Sequence, residues 1–177
     1  MKWFWYFFLY SLCGFILEVL FARATHAAKQ DRKCFLLLPL CPVYGLGALG
    51  ILAAASLLHR DPLLMALAGG GVATAAEYLM GLFYERVLGV AFWDYSHLPM
   101  NVGGKVCLPF TLIWSVLALG LVYAVHPWIS VLTARIPAVL TPAVLIFTLT
   151  DGLISLYLLK TTGHTDSLKW YKKSAGA

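Results

Sequence analysis

Glu18, Glu77 and Asp151 each interrupt a long apolar run. A carboxylate at the centre of a bilayer costs roughly 3 kcal/mol on insertion scales. Three of them, in three separate apolar segments, predict inward-facing groups that line a polar pocket. Such a pocket could hold a cation, an amine or a transferable proton, because burial penalises the charged carboxylate and raises its affinity for protons.

Helical spacing gives each acid small or polar companions. Gly70, Thr74, Glu77, Gly81 and Glu85 recur along one stripe, Ser11, Gly14 and Glu18 along a second, and Thr148, Asp151 and Ser155 along a third. Small residues let helices approach and polar ones prefer a bundle interior, so the glycines, serines and threonines are explained as packing seams. Glu77 and Asp151 read as functional, because Gln or Asn would satisfy a seam at lower cost. Glu18 and Glu85 lie nearer to predicted helix ends, where Arg23 and Arg86 are equally available as partners.

Two connecting stretches add to the inventory. Residues 34–45, Cys-Phe-Leu-Leu-Leu-Pro-Leu-Cys-Pro-Val-Tyr-Gly, are too apolar for a solvated loop and too broken by Pro39 and Pro42 for a helix, which predicts a re-entrant segment. Residues 92–107 gather Asp94, Tyr95, Ser96, His97, Asn101 and Lys105, with Gly103 and Gly104 available for a tight turn. Polar density of this kind beside an acidic pocket predicts a lid or a ligand-binding floor. Asp94, Ser96 and Asn101 join Glu18, Glu77, Glu85 and Asp151 as candidate solute or ion ligands, and Arg86 and Lys105 are candidate phosphate or head-group contacts.

The elements that must position these residues follow from composition. Only 12% of the 177 residues are charged and 61% are hydrophobic, whereas soluble domains carry about 25% charged residues. With a mean hydropathy of +0.82 the chain is predicted to be an all-α, polytopic membrane bundle. A span needs about 20 apolar residues. Five are expected near Trp3–Ala22, Val43–Leu58, Pro62–Tyr84, Leu108–Ala124 and Pro137–Leu159, forming a transmembrane domain over 1–160 with a short basic tail over 161–177. The first run lacks a small-residue cleavage site and is expected to remain as a helix. Trp3, Trp5, Tyr6 and Trp128 suit interfacial anchoring.

Basic residues predict the orientation. Arg23, Lys29, Arg32, Lys33, Arg86, Lys105, Lys160, Lys169, Lys172 and Lys173 fall on one side, and only Lys2, Arg60 and Arg135 on the other. The richer side is expected in the cytoplasm, with the N-terminus outside, in a bacterial-type inner membrane. The net charge of +5 then reflects topology and anionic lipid, and no stacking groove for nucleic acid is apparent. Cys13, Cys34, Cys41 and Cys107 fall in membrane or cytoplasmic segments, where a disulfide is not expected. The spacing of Cys34 and Cys41 does not suit zinc, and no metal site is assigned.

The same stretches carry a resemblance. Glu18, Cys41-Pro-Val-Tyr-Gly45, Glu77, Glu85, Trp93-Asp-Tyr-Ser96, Asn101, Gly104, Cys107-Leu108 and Trp114 resemble the family labelled putative ABC transporter type IV, the CmpB-like membrane proteins. The match runs from about residue 4 to 120. It departs from the family pattern at Asp31-Arg-Lys33 and Leu38-Pro39, where the family has Asn-Arg-Gly and Gly-Pro. The resemblance implies a transporter permease.

Three function classes follow. A small transporter or permease-like protein would bind a cationic or polar solute in an acidic, cytoplasm-facing cavity. Five helices make a thin wall for alternating access, which a homodimer would thicken. An ATPase or other membrane subunit would be a separate chain, because no GxxxxGK[ST] phosphate loop is present. A membrane-embedded enzyme acting on a lipid or phosphate ester is the second class, with Glu77, Glu85, Asp94 and Asn101 as oxygen ligands of a divalent cation and His97 or Ser96 as base or nucleophile. No HExxH or GxSxG motif supports it, so no catalytic residue is assigned and no cofactor is expected. A non-catalytic accessory or sensor subunit is the third.

Overall fold

The computed structural model describes residues 1–26, 34–58 and 60–169. Five helical rods form the molecule. α1 runs Lys2–Ala24, α2 Pro42–Leu58 and α3 Pro62–Phe83, the last continuing through a π-helical turn at Tyr84–Leu88. α4, Leu108–Leu119, passes through a second π-helical segment, Gly120–Val125, into α5, His126–Ala134, and α6 spans Leu140–Thr162. Four rods, Lys2–Ala24, Pro62–Leu88, Leu108–Ala134 and Leu140–Thr162, are long and apolar enough to cross a membrane. Pro42–Leu58 has 17 residues, about 26 Å of helix. The chain is thus an all-helical, multi-pass membrane protein.

Local signals set the boundaries. Asp61 caps α3 by accepting the amides of Leu63 and Leu64 at 2.9 and 3.0 Å, with Pro62 in the first turn where its missing N–H is harmless. The fourth rod runs ten residues past its expected end at Ala124. Pro127 lies inside the extension, where it withholds an N–H and crowds the carbonyl four residues back. The chain instead widens into a π-helical turn just before Pro127 and continues. The last helix starts at Leu140 and ends at Thr162, about three residues later than the sequence spacing predicted.

α1 packs on α2, α2 on α3, and α3 on α4, while α5 returns against α1. The predicted small-residue stripes form these seams: a Cβ at Gly14 would collide with Tyr44, one at Gly45 with Ser11, and one at Gly70 with Ser115. Thr74 donates to Thr111 at 3.0 Å across the α3–α4 seam. At one end Trp5 donates to Thr141 at 3.1 Å, and the Tyr10 hydroxyl lies 3.0 Å from His126 Nδ1. The other end, called here the loop end, carries residues 34–41 and 89–107.

Residues 34–41 are irregular, and Cys34, Phe35, Leu40 and Cys41 are buried. They form a wedge between Phe8, Leu12 and Phe15 of α1 and the flank of α6, where Phe35 sits over Gly152. Residues 101–107 make a short antiparallel hairpin, β1 (Asn101–Val102) and β2 (Val106–Cys107). Its turn needs positive φ at Gly103 (58°) and Gly104 (68°), the conformation glycine adopts without strain. After α6, Gly163 reverses the chain and Leu168 buries itself with Leu159, Tyr84 and Leu88. The basic residues Lys29, Arg32, Lys33, Lys172 and Lys173, and the family departure at Asp31, lie outside the described residues.

Candidate functional site

Glu77 points from α3 into the bundle and is only 4% exposed. Its two oxygens accept from different donors: the Tyr95 hydroxyl reaches Oε1 at 3.0 Å and the Trp114 indole N–H reaches Oε2 at 2.9 Å. Tyr95 comes from the loop after α3 and Trp114 from α4, so three separate elements meet on one carboxylate. Tyr95 is fixed by stacking on Phe110, with ring centroids 4.6 Å apart, and by its own amide donating to Gly104 O at 2.7 Å. Glu18 on α1 accepts the Tyr44 hydroxyl at 2.8 Å, and the Tyr44 ring meets Trp114 edge-on at 5.4 Å. Glu18, Tyr44, Trp114, Tyr95 and Glu77 thereby make one continuous network, called here the throat, around a space of about 20 Å³ that Trp93 and Phe92 also line.

Two larger spaces share wall residues with this throat. Toward the loop end lies a polar vestibule of about 230 Å³, lined by Glu85, Asp94, Lys105, Trp93 and Tyr84 over Gly103 and Gly104. Lys105 bridges to Glu85 and also donates to Gly103 O at 3.1 Å. Trp93 donates to Lys105 O at 2.8 Å, which ties the vestibule wall to the hairpin. Deeper in the bundle lies a chamber of about 270 Å³ between α1, α2, α3 and α4, and Glu77 is its one charged wall residue.

The other predicted residues hold the loop in shape. Asp94 is exposed; its oxygens accept the Ser96 amide at 2.8 Å and the Ser96 hydroxyl at 3.0 Å. The Ser96 amide first, then its hydroxyl, hold the Asp94 carboxyl below the usual carboxylate range, because both stabilise the ionised form. Asn101 donates to Ser96 O and Leu98 O at 3.1 and 2.9 Å and accepts the Gly104 amide at 3.2 Å. Arg86 is exposed and lines none of these three spaces.

Asp151 was expected to share a cavity with Glu77, and the structure places it elsewhere. At 2% exposure it faces the wedge, where Leu37 N–H approaches both oxygens at 3.0 and 3.1 Å and Leu38 N–H reaches Oδ2 at 2.7 Å. Ser155, one turn on, accepts the Leu36 amide at 2.8 Å and donates to Asp151 O at 2.6 Å. Asp151 lines none of the three spaces. Equal depth along two helices does not fix which way a side chain faces once an irregular segment lies between them.

Tyr44, Tyr95 and Trp114 are the throat residues that carboxylate spacing did not nominate. Each carries one polar hydrogen on an aromatic body, the form suited to meeting a buried acid. That chemistry, together with the positions of Tyr44 in the CPVYG motif and Tyr95 in the WDYS motif, was the available signal. Cys34 and Cys41, not expected to interact, lie with Sγ atoms 3.5 Å apart inside the wedge. Among the described residues no three His, Cys, Asp or Glu side chains converge as metal ligands.

The fold defines a multi-pass helical membrane protein. The chain matches the family described as "Putative ABC-transporter type IV" over residues 5–157, and it belongs to that family. The match reaches into α6, well past the residue 120 at which the motif resemblance ends. No curated protein and no solved structure matches the chain.

Proposed function

We propose that this protein is a permease-like component of a transport system, binding a cationic or polar solute at the Glu18–Glu77 throat. The observation that carries the reading is a doubly braced carboxylate whose surrounding residues are shared on one side with the polar vestibule, through Phe92 and Trp93, and on the other with the inner chamber, through Tyr44 and Trp114. A binding group inside a membrane bundle must be rigid before the solute arrives, and Tyr95 and Trp114 hold Glu77 from two elements. Glu18, braced by Tyr44, gives the throat a second carboxylate, which suits a positively charged group.

The loop end faces the cytoplasm on this reading, since Arg23, Arg86, Lys105, Lys160 and Lys169 gather there and Lys2, Arg60 and Arg135 lie at the other end. The vestibule is then the cytoplasmic entrance in a bacterial-type inner membrane. An ATPase subunit is the partner that the family description suggests, and a second copy of the chain would thicken the wall.

The test is a thermal-shift screen of the purified protein in detergent against ammonium compounds, divalent cations and phosphate esters, wild type beside Glu77→Gln. A ligand at a hundred times its Kd should stabilise the wild type by about 2.7 kcal/mol. The expected result is a stabilising ammonium or cation whose effect vanishes in Glu77→Gln. Responses that survive the substitution unchanged would remove Glu77 from the binding site.

A further inference from the structure

The inner chamber differs in chemistry from the vestibule. Apart from Glu77 its wall is apolar or aromatic, with Gly47, Ala48, Ala73 and Ala118 giving it a floor of small residues. Native interiors leave few voids larger than a water molecule. An apolar cavity of about 150 Å³ stays dry and accepts benzene, so one of about 270 Å³ has room for a hydrocarbon segment.

The space is not forced by close helix packing. A Cβ at Gly47 would meet only the Ala73 Cα, 4.0 Å away, and one at Gly120 would meet nothing within 4 Å. Gly14 and Gly45, by contrast, are needed for contact between α1 and α2. The chamber also has a mouth on the flank of the bundle. Leu17 of α1 and Leu117 of α4 line it while remaining 43% and 41% exposed, and Gly120 and Val125 complete an exposed rim. In a multi-pass membrane protein such an apolar rim meets acyl chains.

We propose that the chamber binds an amphiphilic organic ammonium, its hydrocarbon tail among these small apolar residues and its nitrogen against the carboxylate of Glu77. This rests on the reading of Glu77 as the solute-binding group and narrows the solute class. A small hydrated cation would lose its water to an apolar wall, and a plain hydrocarbon would set an apolar surface against a carboxylate. An ammonium with a tail meets both walls, and it partitions into the bilayer from which the mouth opens.

Cys13 lies half-buried on the chamber wall and gives a local readout. The full chain in maltoside detergent is treated with N-ethylmaleimide, and alkylation at Cys13 is followed by peptide mass spectrometry. Methylammonium, butylammonium, decylammonium and decanoate are the probes. Decylammonium should protect Cys13 at a concentration at least tenfold below that of methylammonium, and decanoate should not protect. Gly47→Leu, with Gly120→Leu as the second variant, should erase the tenfold advantage of the long chain while leaving the thermal response to methylammonium in place.

Equal protection by decanoate, or an undiminished long-chain advantage in both glycine variants, would overturn the proposal. If methylammonium and decylammonium act equally and Glu77→Gln abolishes both, the chamber inference fails and the throat reading stands. If Glu77→Gln changes neither, the throat reading itself fails. Displacement of decylammonium by phosphatidylethanolamine, and not by phosphatidylglycerol, would identify a lipid as the source of the ammonium; absence of displacement would identify a free amine.

Discussion

Glu77 and Asp151 are both buried carboxylates on helices of one bundle, and they are held by opposite kinds of partner. Asp151 accepts the backbone amides of Leu37 and Leu38, in an irregular segment whose residues 36–38 form no helix or strand. Inside a membrane protein such backbone is tolerated only where protein groups replace water. Glu77 accepts from two side chains, a phenol and an indole, and lines the inner chamber. The first acid completes a fold; the second furnishes a cavity. Both are buried carboxylates, so the identity of the donors distinguishes a structural acid from a candidate binding one.

Substitutions can break this comparison. The largest effect is expected from Asp151→Leu, which removes the acceptor of the Leu37 and Leu38 amides. About 1–3 kcal/mol is lost for each unsatisfied group, and thermal unfolding in detergent would show a large drop. Retention of wild-type stability would mean that residues 34–41 find other acceptors. Asp151→Asn should fall between the two, because its NH₂ would face a Leu37 amide now 3.0 Å from Oδ1, donor against donor.

Glu77→Gln should be milder, at about 1 kcal/mol. Its oxygen can keep the Trp114 N–H, and its NH₂ can donate to the Tyr95 hydroxyl, which is able to reverse its role. An Asn at 151 that proved milder than a Gln at 77 would invert the comparison. Tyr95→Phe and Trp114→Phe each remove one donor. Each should cost roughly 1 kcal/mol, and a double-mutant cycle should give a non-zero coupling because both act on one carboxylate.

The smallest effect concerns Asp94, whose exposed carboxyl is held low by the Ser96 amide and hydroxyl. A folded-state value below the unfolded one means that the contribution is fully present above about pH 4, the ordinary aspartate value. It is lost only as pH falls through the lower folded value. Exchange of the Ser96 amide should therefore stay slow from neutrality to pH 5, once corrected for intrinsic rates, and quicken only in stronger acid. Loss of protection between pH 7 and 5 would show that Asp94 does not hold the loop.

Much of the architecture was legible in order along the chain. Apolar runs gave five rods, and Gly103-Gly104 gave the hairpin turn, because these are local consequences of composition and backbone freedom. Residues 34–45 read as a re-entrant segment from their apolar composition and prolines; residues 34–41 are irregular, whereas Pro42–Gly45 begin α2. The end of the fourth rod was not legible, since a π-helical turn absorbing Pro127 depends on how α5 docks against α1. The throat was legible only in part: Glu18 and Glu77 stood out by cost, while Tyr44, Tyr95 and Trp114 are ordinary aromatics until the fold turns their polar hydrogens inward.

The sequence by itself determined that this protein is a helical membrane bundle, that Glu77 and Asp151 face inward, and that residues 34–41 leave helical structure. Hydrophobicity and proline act through transfer energies and steric limits that hold whatever the neighbours are. Only the tertiary structure decided that Asp151 secures the wedge while Glu77 faces a cavity, and that Glu85 and Lys105 line a vestibule. Those assignments depend on the rotation of each helix about its axis and on an inserted loop, which many long-range contacts fix together and no local spacing records.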